Sequence, residues 1–377
     1  MDELHHSLGA RFGELNGQPM VLDYGDWRAE YAAFRQTAGV MDLSFRSRVC
    51  LVGADRVRFL HGQVTNDVKK LRPGDGCYAA ITTAKGKMES DLNILCLADE
   101  LLLDFEPGLT AKISERLEKY IVADDVQVMD VAGHYGLLSV QGPLAEKSVR
   151  ALGLSADIPA TRLGSVKIAD TTLGEIYLAN NPRLSGWRGE RPREPETDQA
   201  AALHSMGGFD LYVPVNSLAA VADKLIAAAK ESGGRAAGWT AFETARIEAG
   251  IPRFGADMNE THLPLECGIE NRAVVYNKGC YIGQEIINRV HSFGHVTKEL
   301  RGLRLAGDLS GLPGGGEKLF QEGKEVGYIT SAMRSPALGA NIALGYVRRE
   351  ANQIGVELTL QTAAGECKGI IVELPFV

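Results

Sequence analysis

Three polar side chains alternate along a short segment whose other positions are mostly apolar. Met88 to Cys96 reads M-E-S-D-L-N-I-L-C, so in an extended strand Glu89, Asp91 and Asn93 share one face. Two carboxylates and an amide in a row have two interpretations. They form the solvent-facing side of an antiparallel sheet, which the spacing alone favours, or a polar wall that orients a ligand with amide and amino groups.

The densest chemical pattern is the segment Asn277 to Arg289, which reads N-K-G-C-Y-I-G-Q-E-I-I-N-R. Two glycines around a thiol and an aromatic ring suit a tight functional loop better than a core strand or helix. A cysteine near a cation can have a lowered pKa and act as a nucleophile, a redox centre or a metal ligand. The residues alone leave open whether Cys280 is functional. One thiol cannot hold an iron-sulfur cluster, which usually takes four ligands.

The remaining cysteines give no sign of a metal site. All six are scattered, without a CxxC pair or a close Cys/His group, so we expect no structural zinc and no bound metal. Cys50 and Cys96 lie in apolar runs and are expected to be core thiols. Cys77 precedes Tyr78 and could lie near a pocket.

Length and composition exclude several classes of protein. The chain has 377 residues, 45% hydrophobic and 23% charged, which predicts two or three globular domains and excludes a disordered or collagen-like chain. No apolar stretch approaches the roughly 20 residues that span a bilayer, and the first residues do not resemble a signal peptide. We therefore expect a cytoplasmic protein that does not interact with membranes.

Charge is distributed unevenly along the chain. The net charge of −8 argues against bulk binding of nucleic acid, yet residues 272–304 carry six basic against two acidic side chains. This basic stretch is either a solvated face or a site for the anionic tail of a ligand. A second charged segment, Arg183 to Asp198, contains two prolines and no apolar periodicity, which predicts an exposed loop.

The pattern of apolar residues predicts an α+β region followed by a β-rich tail. The strands expected from apolar runs are Val49 to Val52, Leu92 to Leu97, Leu101 to Phe105 and Gly136 to Val140. The expected helices are Trp27 to Thr37, Thr110 to Ile121, Pro143 to Leu152 and Ser217 to Ser232. A capping box from Thr240 to Glu243 predicts one more short helix, and after Lys298 short runs predict an antiparallel barrel or sandwich.

Several segments together resemble a known family. They are FLHGQVTNDV from Phe59, KGKMESDL from Lys85, SVQGPLA from Ser139, GGFDLYVP from Gly207, RIEAGIPRFGADM from Arg246 and KGCYIGQE from Lys278. The sequence resembles the aminomethyltransferase (glycine-cleavage T-protein) superfamily of tetrahydrofolate-binding proteins. KGCYIGQE is similar to the signature of its YgfZ-type branch, which supports iron-sulfur proteins.

The resemblance implies a fold, a cofactor and site residues. Residues 1–297 would form two intertwined α+β portions around a channel that holds tetrahydrofolate or a one-carbon derivative, and residues 298–377 a C-terminal antiparallel barrel. By position, Asp91 matches the aspartate beside the folate's reactive nitrogens, Tyr78 a pocket tyrosine and Asp210 the carboxylate that holds the pterin. Arg246 matches a retained pocket arginine.

The resemblance also implies roles for the motif loop, in which Cys280 joins Asp91 as a candidate catalytic residue. This loop comprises Lys278, Gly279, Cys280, Tyr281, Gly283, Gln284 and Glu285. Within it, Lys278 would stabilise a thiolate on Cys280.

Two departures from the transferase pattern rank the possible functions. Phe242 stands where the transferases have an arginine, and their stretch with a folate-contacting tyrosine is replaced by the charged loop from Arg183 to Asp198. We therefore rank first a folate-binding accessory protein for iron-sulfur cluster assembly or repair, with an indirect effect on tRNA modification. Its partners would be iron-sulfur proteins or their assembly machinery. A folate-dependent aminomethyltransferase is the alternative.

Overall fold

The computed structural model describes residues 1–185, 207–307, 309, 311–362 and 365–377. Its helices are α1 Asp2–Ser7, α2 Trp27–Gln36, α3 Arg56–Gln63, α4 Thr110–Glu118, α5 Ala145–Arg150, α6 Val215–Glu231, α7 Trp239–Glu248, α8 Glu270–Ala273 and α9 Gln284–Phe293. Short 3-10 turns cover Val68–Lys70 and Arg349–Ala351.

The strands before the basic stretch are β1 Arg11–Leu15, β2 Gln18–Asp23, β3 Gly39–Asp42, β4 Ser47–Val52, β5 Gly76–Thr82, β6 Met88–Cys96, β7 Leu101–Phe105, β8 Gln127–Asp130, β9 Tyr135–Gln141, β10 Ser165–Asp170, β11 Gly174–Asn180, β12 Gly208–Pro214 and β13 Arg235–Ala236. The later strands are β14 Lys298–Leu305, β15 Lys318–Gln321, β16 Lys324–Ser335, β17 Ala340–Arg348, β18 Glu357–Thr362 and β19 Gly365–Val372. No helix among the described residues is long and apolar enough to cross a bilayer.

Two sheets interleave along the first three quarters of the chain. One has six strands in the order β10-β11-β12-β9-β3-β13, antiparallel except for the parallel pair β3 and β13. The other has five antiparallel strands in the order β5-β6-β7-β4-β8. All five of its strands lie in sequence between β3 and β9, so the chain leaves the first sheet, builds the second and returns.

Helix α6 packs on the six-stranded sheet as its periodicity predicts. The buried positions of the helix are Leu218, Val221, Ala222, Leu225, Ile226 and Ala229. They share one core with Val140, Leu211 and Val213 of the sheet. The apolar face of this helix is therefore structural.

The capping box predicted at Thr240 is wrong. Helix α7 begins one residue earlier, after Gly238, and makes no side-chain cap hydrogen bond. The Gly238 backbone N–H donates to a Glu30 carboxylate oxygen at 2.9 Å, and a Cβ there would lie 2.4 Å from the Leu22 carbonyl oxygen. Close packing against β2 thus determines where the helix starts, while Glu243 pairs with Arg246 instead of capping.

The predicted antiparallel barrel is confirmed. Six strands close in the order β14-β17-β16-β15-β18-β19, and the first begins at Lys298. Apolar side chains from all of these strands fill one core inside it. Strand β16 approaches β17 so closely that a Cβ at Gly327 would lie 2.0 Å from the Tyr346 carbonyl oxygen, so this position requires glycine.

His262 links the central part of the chain to the barrel. Its ring stacks on Tyr346 with centroids 4.2 Å apart, its Nδ1 accepts the Asn259 N–H at 3.1 Å, and its Nε2 lies 2.7 Å from the Tyr328 hydroxyl. The residue is 1% exposed. Burial, together with the positive charges of Lys298 and Lys87, lowers the pKa of His262 to about 4.

This depressed pKa predicts that part of the stability is lost in mild acid. The unfolded state, with a His pKa near the ordinary 6.5, binds a proton between about pH 6.5 and 4 that the folded state does not. The contribution is complete above pH 6.5 and falls by up to about 3 kcal/mol by pH 4. Urea unfolding of wild type and His262→Gln over this range should show a shallower pH dependence for the variant; parallel curves would contradict the assignment.

Candidate functional site

A central cavity of about 290 Å³ lies where the five-stranded sheet, the end of β11 and helix α7 meet. Its polar and charged lining residues are Arg46, Asn66, Tyr78, Asp91, Asn93, Glu106, Arg162, Asn181, Arg183, Arg246, Arg253 and Arg272. Its other lining residues are Gly76, Cys77, Leu163, Phe242, Ile251 and Pro252. Of the candidate ligand-binding residues named from the sequence, Tyr78, Asp91 and Arg246 line this cavity, whereas Asp210 does not.

Asp91 has one oxygen held and one left for a ligand. The Tyr78 hydroxyl donates to Asp91 Oδ2 at 2.7 Å, because Tyr78 on β5 and Asp91 on β6 belong to adjacent antiparallel strands. The other oxygen, Oδ1, is buried and accepts no hydrogen bond from any described residue. Burial, with the nearby charge of Glu106, raises the pKa of Asp91 above its ordinary value.

The polar face of β6 lies largely inside the protein. Asp91 and Asn93 line the cavity, and the Asn93 amide donates to Asp104 at 3.1 Å. Glu89, on the same face, points away from the cavity and pairs with Arg116 at 2.8 Å. The interpretation of this face as a solvent-facing surface is therefore wrong for Asp91 and Asn93.

Arg272 supplies positive charge beside Tyr78. Its guanidinium carbon lies 4.8 Å from the centre of the Tyr78 ring, and no carboxylate among the described residues forms an ion pair with it. Of the basic stretch from 272 to 304, Arg272 is the residue that lines the cavity. An anionic part of a ligand would therefore meet Arg272.

Phe242 makes part of the cavity wall apolar. Its ring lies 5.3 Å from Trp239 and 6.5 Å from Phe34, centre to centre, which holds it in place from helix α7. With Ile251 and Pro252 it offers a surface on which a flat ring can pack.

Charged side chains of alternating sign form a continuous series behind and along this cavity. Its members, in spatial order, are Asp210, Arg183, Asp104, Arg46, Glu106, Arg253, Glu243, Arg246 and Asp257. The first five links measure 2.7, 2.7, 2.7, 2.6 and 3.0 Å. We call it the ion-pair series. Sequence reasoning missed most of it; the available signal was Asp104, a carboxylate within the apolar run LLLDF.

Asp210 is engaged in this series and turned away from the cavity. Both carboxylate oxygens accept from Arg183 Nε, at 3.1 and 3.0 Å, and Oδ2 also accepts from the Asn181 amide at 2.8 Å. The residue has no exposed surface. Its predicted role in holding a pterin conflicts with this arrangement, because no carboxylate edge is left for a ligand.

The prediction of an exposed loop from Arg183 to Asp198 is wrong for its first residue, Arg183. Its side chain is only 8% exposed and bridges Asp104 and Asp210. From residue 186 onward, the predicted loop lies outside the described residues.

Arg246 lines the cavity, but its guanidinium donates hydrogen bonds to other side chains of the protein. It donates to Asp257, to Glu243 and, at 3.0 Å, to the Ser331 hydroxyl of the barrel. It is 2% exposed. Its main visible role is to connect helix α7 to the barrel.

Lys278 fastens the motif loop to the segment before β5. Its ammonium donates to the backbone carbonyls of His61, Val64 and Asn66, each at 2.7 Å. Burial lowers the pKa of Lys278 to about 8. All three N–H donors are thus committed to carbonyl oxygens, which leaves none to donate to a thiolate on Cys280.

The rest of the motif loop displays Cys280 at the surface. Cys280 and Gly279 are exposed and line neither the central cavity nor its mouth, whereas Tyr281 is buried. Gly283 has φ of +91° and starts helix α9; a Cβ there would lie 2.6 Å from the Thr83 carbonyl oxygen. The Gln284 amide donates back to the Lys278 carbonyl at 3.4 Å, and Glu285 is exposed.

The other thiols behave as the sequence indicates. Cys50 and Cys96 are buried, and Cys77 lines the central cavity, where burial raises its pKa to about 12. Among the described residues, no three His, Cys, Asp or Glu side chains converge as they would around a metal ion.

Comparisons with known proteins give consistent results. The sequence matches the GCVT N-terminal domain over residues 1–191 and 205–278, and the glycine cleavage T-protein C-terminal barrel domain over residues 298–377. An aminomethyltransferase of Desulforamulus reducens is 29% identical over 99% of this chain and 96% of that protein. An aminomethyltransferase of Lysinibacillus sphaericus is 27% identical, over the same shares.

A solved structure supports the fold. The crystal structure of glycine cleavage system aminomethyltransferase T from Bartonella henselae superposes with a TM-score of 0.84 at 22% identity. The match covers 100% of this chain and 96% of that one. The α+β architecture expected from the sequence, with its C-terminal barrel, is therefore confirmed.

The ion-pair series predicts a large stability difference between two arginine substitutions. Arg183→Met leaves Asp210 buried without its cation and should cost about 3 to 5 kcal/mol of unfolding free energy. Arg150→Met is the control, since Arg150 and its partner Glu146 are more than half exposed and the change should cost less than about 1 kcal/mol. Equal urea midpoints for the two variants would refute the importance of the series.

Proposed function

Because the chain belongs to the glycine cleavage T-protein family, we propose that its central cavity binds tetrahydrofolate, or a one-carbon derivative of it, against Asp91. The observation that carries the proposal is the buried Asp91 Oδ1, which has no partner among the described residues. A buried carboxylate oxygen without a donor is costly, and a ligand N–H would satisfy it.

The cavity residues fit the chemistry of a folate. Phe242 and Pro252 provide apolar surface for flat rings, and Arg272 provides positive charge for a carboxylate of the tail. When bound, tetrahydrofolate would supply the nitrogens that carry the one-carbon unit. Tyr78 fixes Asp91 Oδ2, so that Oδ1 stays directed to the ligand and can orient a nitrogen or exchange a proton with it.

We propose aminomethyl transfer as the activity of this site. The named relatives support this activity over the accessory function that the departures in the sequence favour. In such a reaction, the carrier's S–CH2NH2 group and tetrahydrofolate would together yield methylene-tetrahydrofolate, ammonia and the free lipoyl-type thiol. The raised pKa of Asp91 brings its carboxyl group closer to the range in which it can accept and return a proton near neutral pH.

Replacing Asp91 by Asn tests both the binding and the transfer. Asp91→Asn should weaken tetrahydrofolate binding by about tenfold or more, because a charge-assisted hydrogen bond is lost, and should slow methylene-tetrahydrofolate formation from an aminomethyl-lipoyl carrier. Titration calorimetry measures the first effect and absorbance the second. Glu89→Gln is the matched control, since Glu89 lies two positions away on the same strand but outside the cavity.

Three outcomes would separate the parts of this proposal. A wild-type protein that binds no tetrahydrofolate, or an unchanged dissociation constant for Asp91→Asn, would refute the folate site. Folate binding without any product formation would refute aminomethyl transfer alone.

The geometry of the motif loop favours a second candidate function, a YgfZ-type folate-binding accessory protein for iron-sulfur enzymes. Cys280 is exposed on a loop that Lys278 fastens to the body of the protein, outside the folate cavity. Such a thiol is placed to meet another macromolecule. Phe242 in the cavity wall also departs from the transferase pattern.

Cys280→Ala tests this candidate. The variant should fold and bind tetrahydrofolate like wild type, since Cys280 touches neither the cavity nor the core, yet fail to restore iron-sulfur enzyme activities in cells lacking the protein. Asn277→Ala, an exposed change in the same loop, should restore them fully. The accessory function would be refuted if Cys280→Ala complemented fully. It would also be refuted if the wild-type protein formed methylene-tetrahydrofolate at enzymatic rates.

A further inference from the structure

A second cavity, of about 500 Å³, opens at the barrel where β14, β15, β16 and β17 meet. Tyr346, fully buried, and Tyr328 form part of its wall, and Lys298, Lys318 and Arg348 bring positive charge to it. It shares no lining residue with the central cavity. The proposed folate chemistry makes no use of it.

The hydrogen bonds around Tyr328 leave its hydroxyl proton without an acceptor among the described residues. Since His262 Nδ1 accepts the Asn259 N–H, the neutral ring carries its hydrogen on Nε2 and donates to the Tyr328 oxygen at 2.7 Å. Lys298 Nζ donates to the same oxygen at 2.9 Å. With both lone pairs of that oxygen used, its O–H must donate elsewhere, and no described residue receives it.

Lys298 makes no direct ion pair with a described carboxylate, although the charge of Glu266 acts on it from nearby. Its ammonium lies 5.1 and 4.9 Å from the centres of the Tyr328 and Tyr346 rings, and it forms no ion pair with any described carboxylate. Glu325 and Glu350 also line the cavity. Each of these carboxylates is already paired with a lysine, Lys318 and Lys324 respectively, at 3.1 Å.

The register of the barrel strands places a second cation opposite Lys298. In the antiparallel pair of β14 and β17, Lys298 and Arg348 are direct cross-strand partners. Like charges in this position oppose each other and destabilise the sheet unless an anion lies between them. No described carboxylate forms a direct ion pair with Arg348 either, although Glu350 lies near enough for the two charges to interact.

We propose that this barrel cavity binds a small anion through a carboxylate or phosphate group, which accepts hydrogen bonds from the Tyr328 hydroxyl and Lys298. The anion would satisfy the remaining hydroxyl proton and offset the facing charges of Lys298 and Arg348. Both tyrosine rings keep the lysine in place before the ligand arrives. An acceptor-only ligand suits this arrangement of donors.

Titration calorimetry of the full chain with inorganic phosphate, and separately with succinate, tests the proposal. We expect saturable binding of at least one probe, and the probe that binds identifies the group as phosphate or carboxylate. Lys298→Met should weaken it by tenfold or more, while Lys368→Met should bind like wild type, since neither this barrel lysine nor its partner Glu357 lines the cavity. Tyr328→Phe, which removes the hydroxyl, should also weaken binding. This second variant tests the proposal if Lys298→Met is unstable.

Two results would overturn the proposal. One is the absence of saturable binding of either probe at millimolar concentration. The other is equal affinity in Lys298→Met and Lys368→Met, which would show that the anion binds nonspecifically. Tetrahydrofolate affinity measured on Lys298→Met should match wild type, so this test and that of the folate site fail independently.

Discussion

Buried charge of alternating sign is the constraint on which the architecture depends. The ion-pair series begins at Asp210 in the six-stranded sheet, passes Asp104 in the five-stranded sheet and Arg246 in helix α7, and ends at Asp257. There, the Thr330 and Ser331 hydroxyls of the barrel donate to Asp257 at 2.6 and 2.7 Å. A buried charge without a partner is costly. The two sheets and the barrel must therefore keep the relative positions in which these charges are paired.

The same series limits which residues of the central cavity have charge left for a ligand. All four arginines of the series line the cavity, but carboxylates of the protein neutralise each of them. They are Arg46, Arg183, Arg246 and Arg253. In the proposed folate site, recognition of the ligand would therefore depend largely on Asp91 and Arg272. The charged wall would shape the cavity, and the free carboxylate oxygen of Asp91 would contact the reactive part of the ligand.

In the motif loop, some residues anchor the loop to the body of the protein and another is exposed at the surface. Lys278 and Tyr281 are buried and hold the loop, while Cys280 between them is exposed. A lysine that satisfies three carbonyl oxygens lets an irregular loop pack against the body without leaving buried acceptors unpaired. The proposed folate site and the surface thiol can therefore belong to one protein while lying at separate places.

The sequence by itself determined the fold class, the barrel after Lys298, the buried face of helix α6 and the placing of Asp91 and Asn93 on one face of a strand. These follow from apolar periodicity and motifs, which are local along the chain. Only the tertiary structure decided that Asp210 faces Arg183, that Lys278 binds carbonyls and that Lys298 opposes Arg348. Such partners lie 27 to 217 residues apart, and a charged side chain chooses among them only after strand register and burial have brought them together.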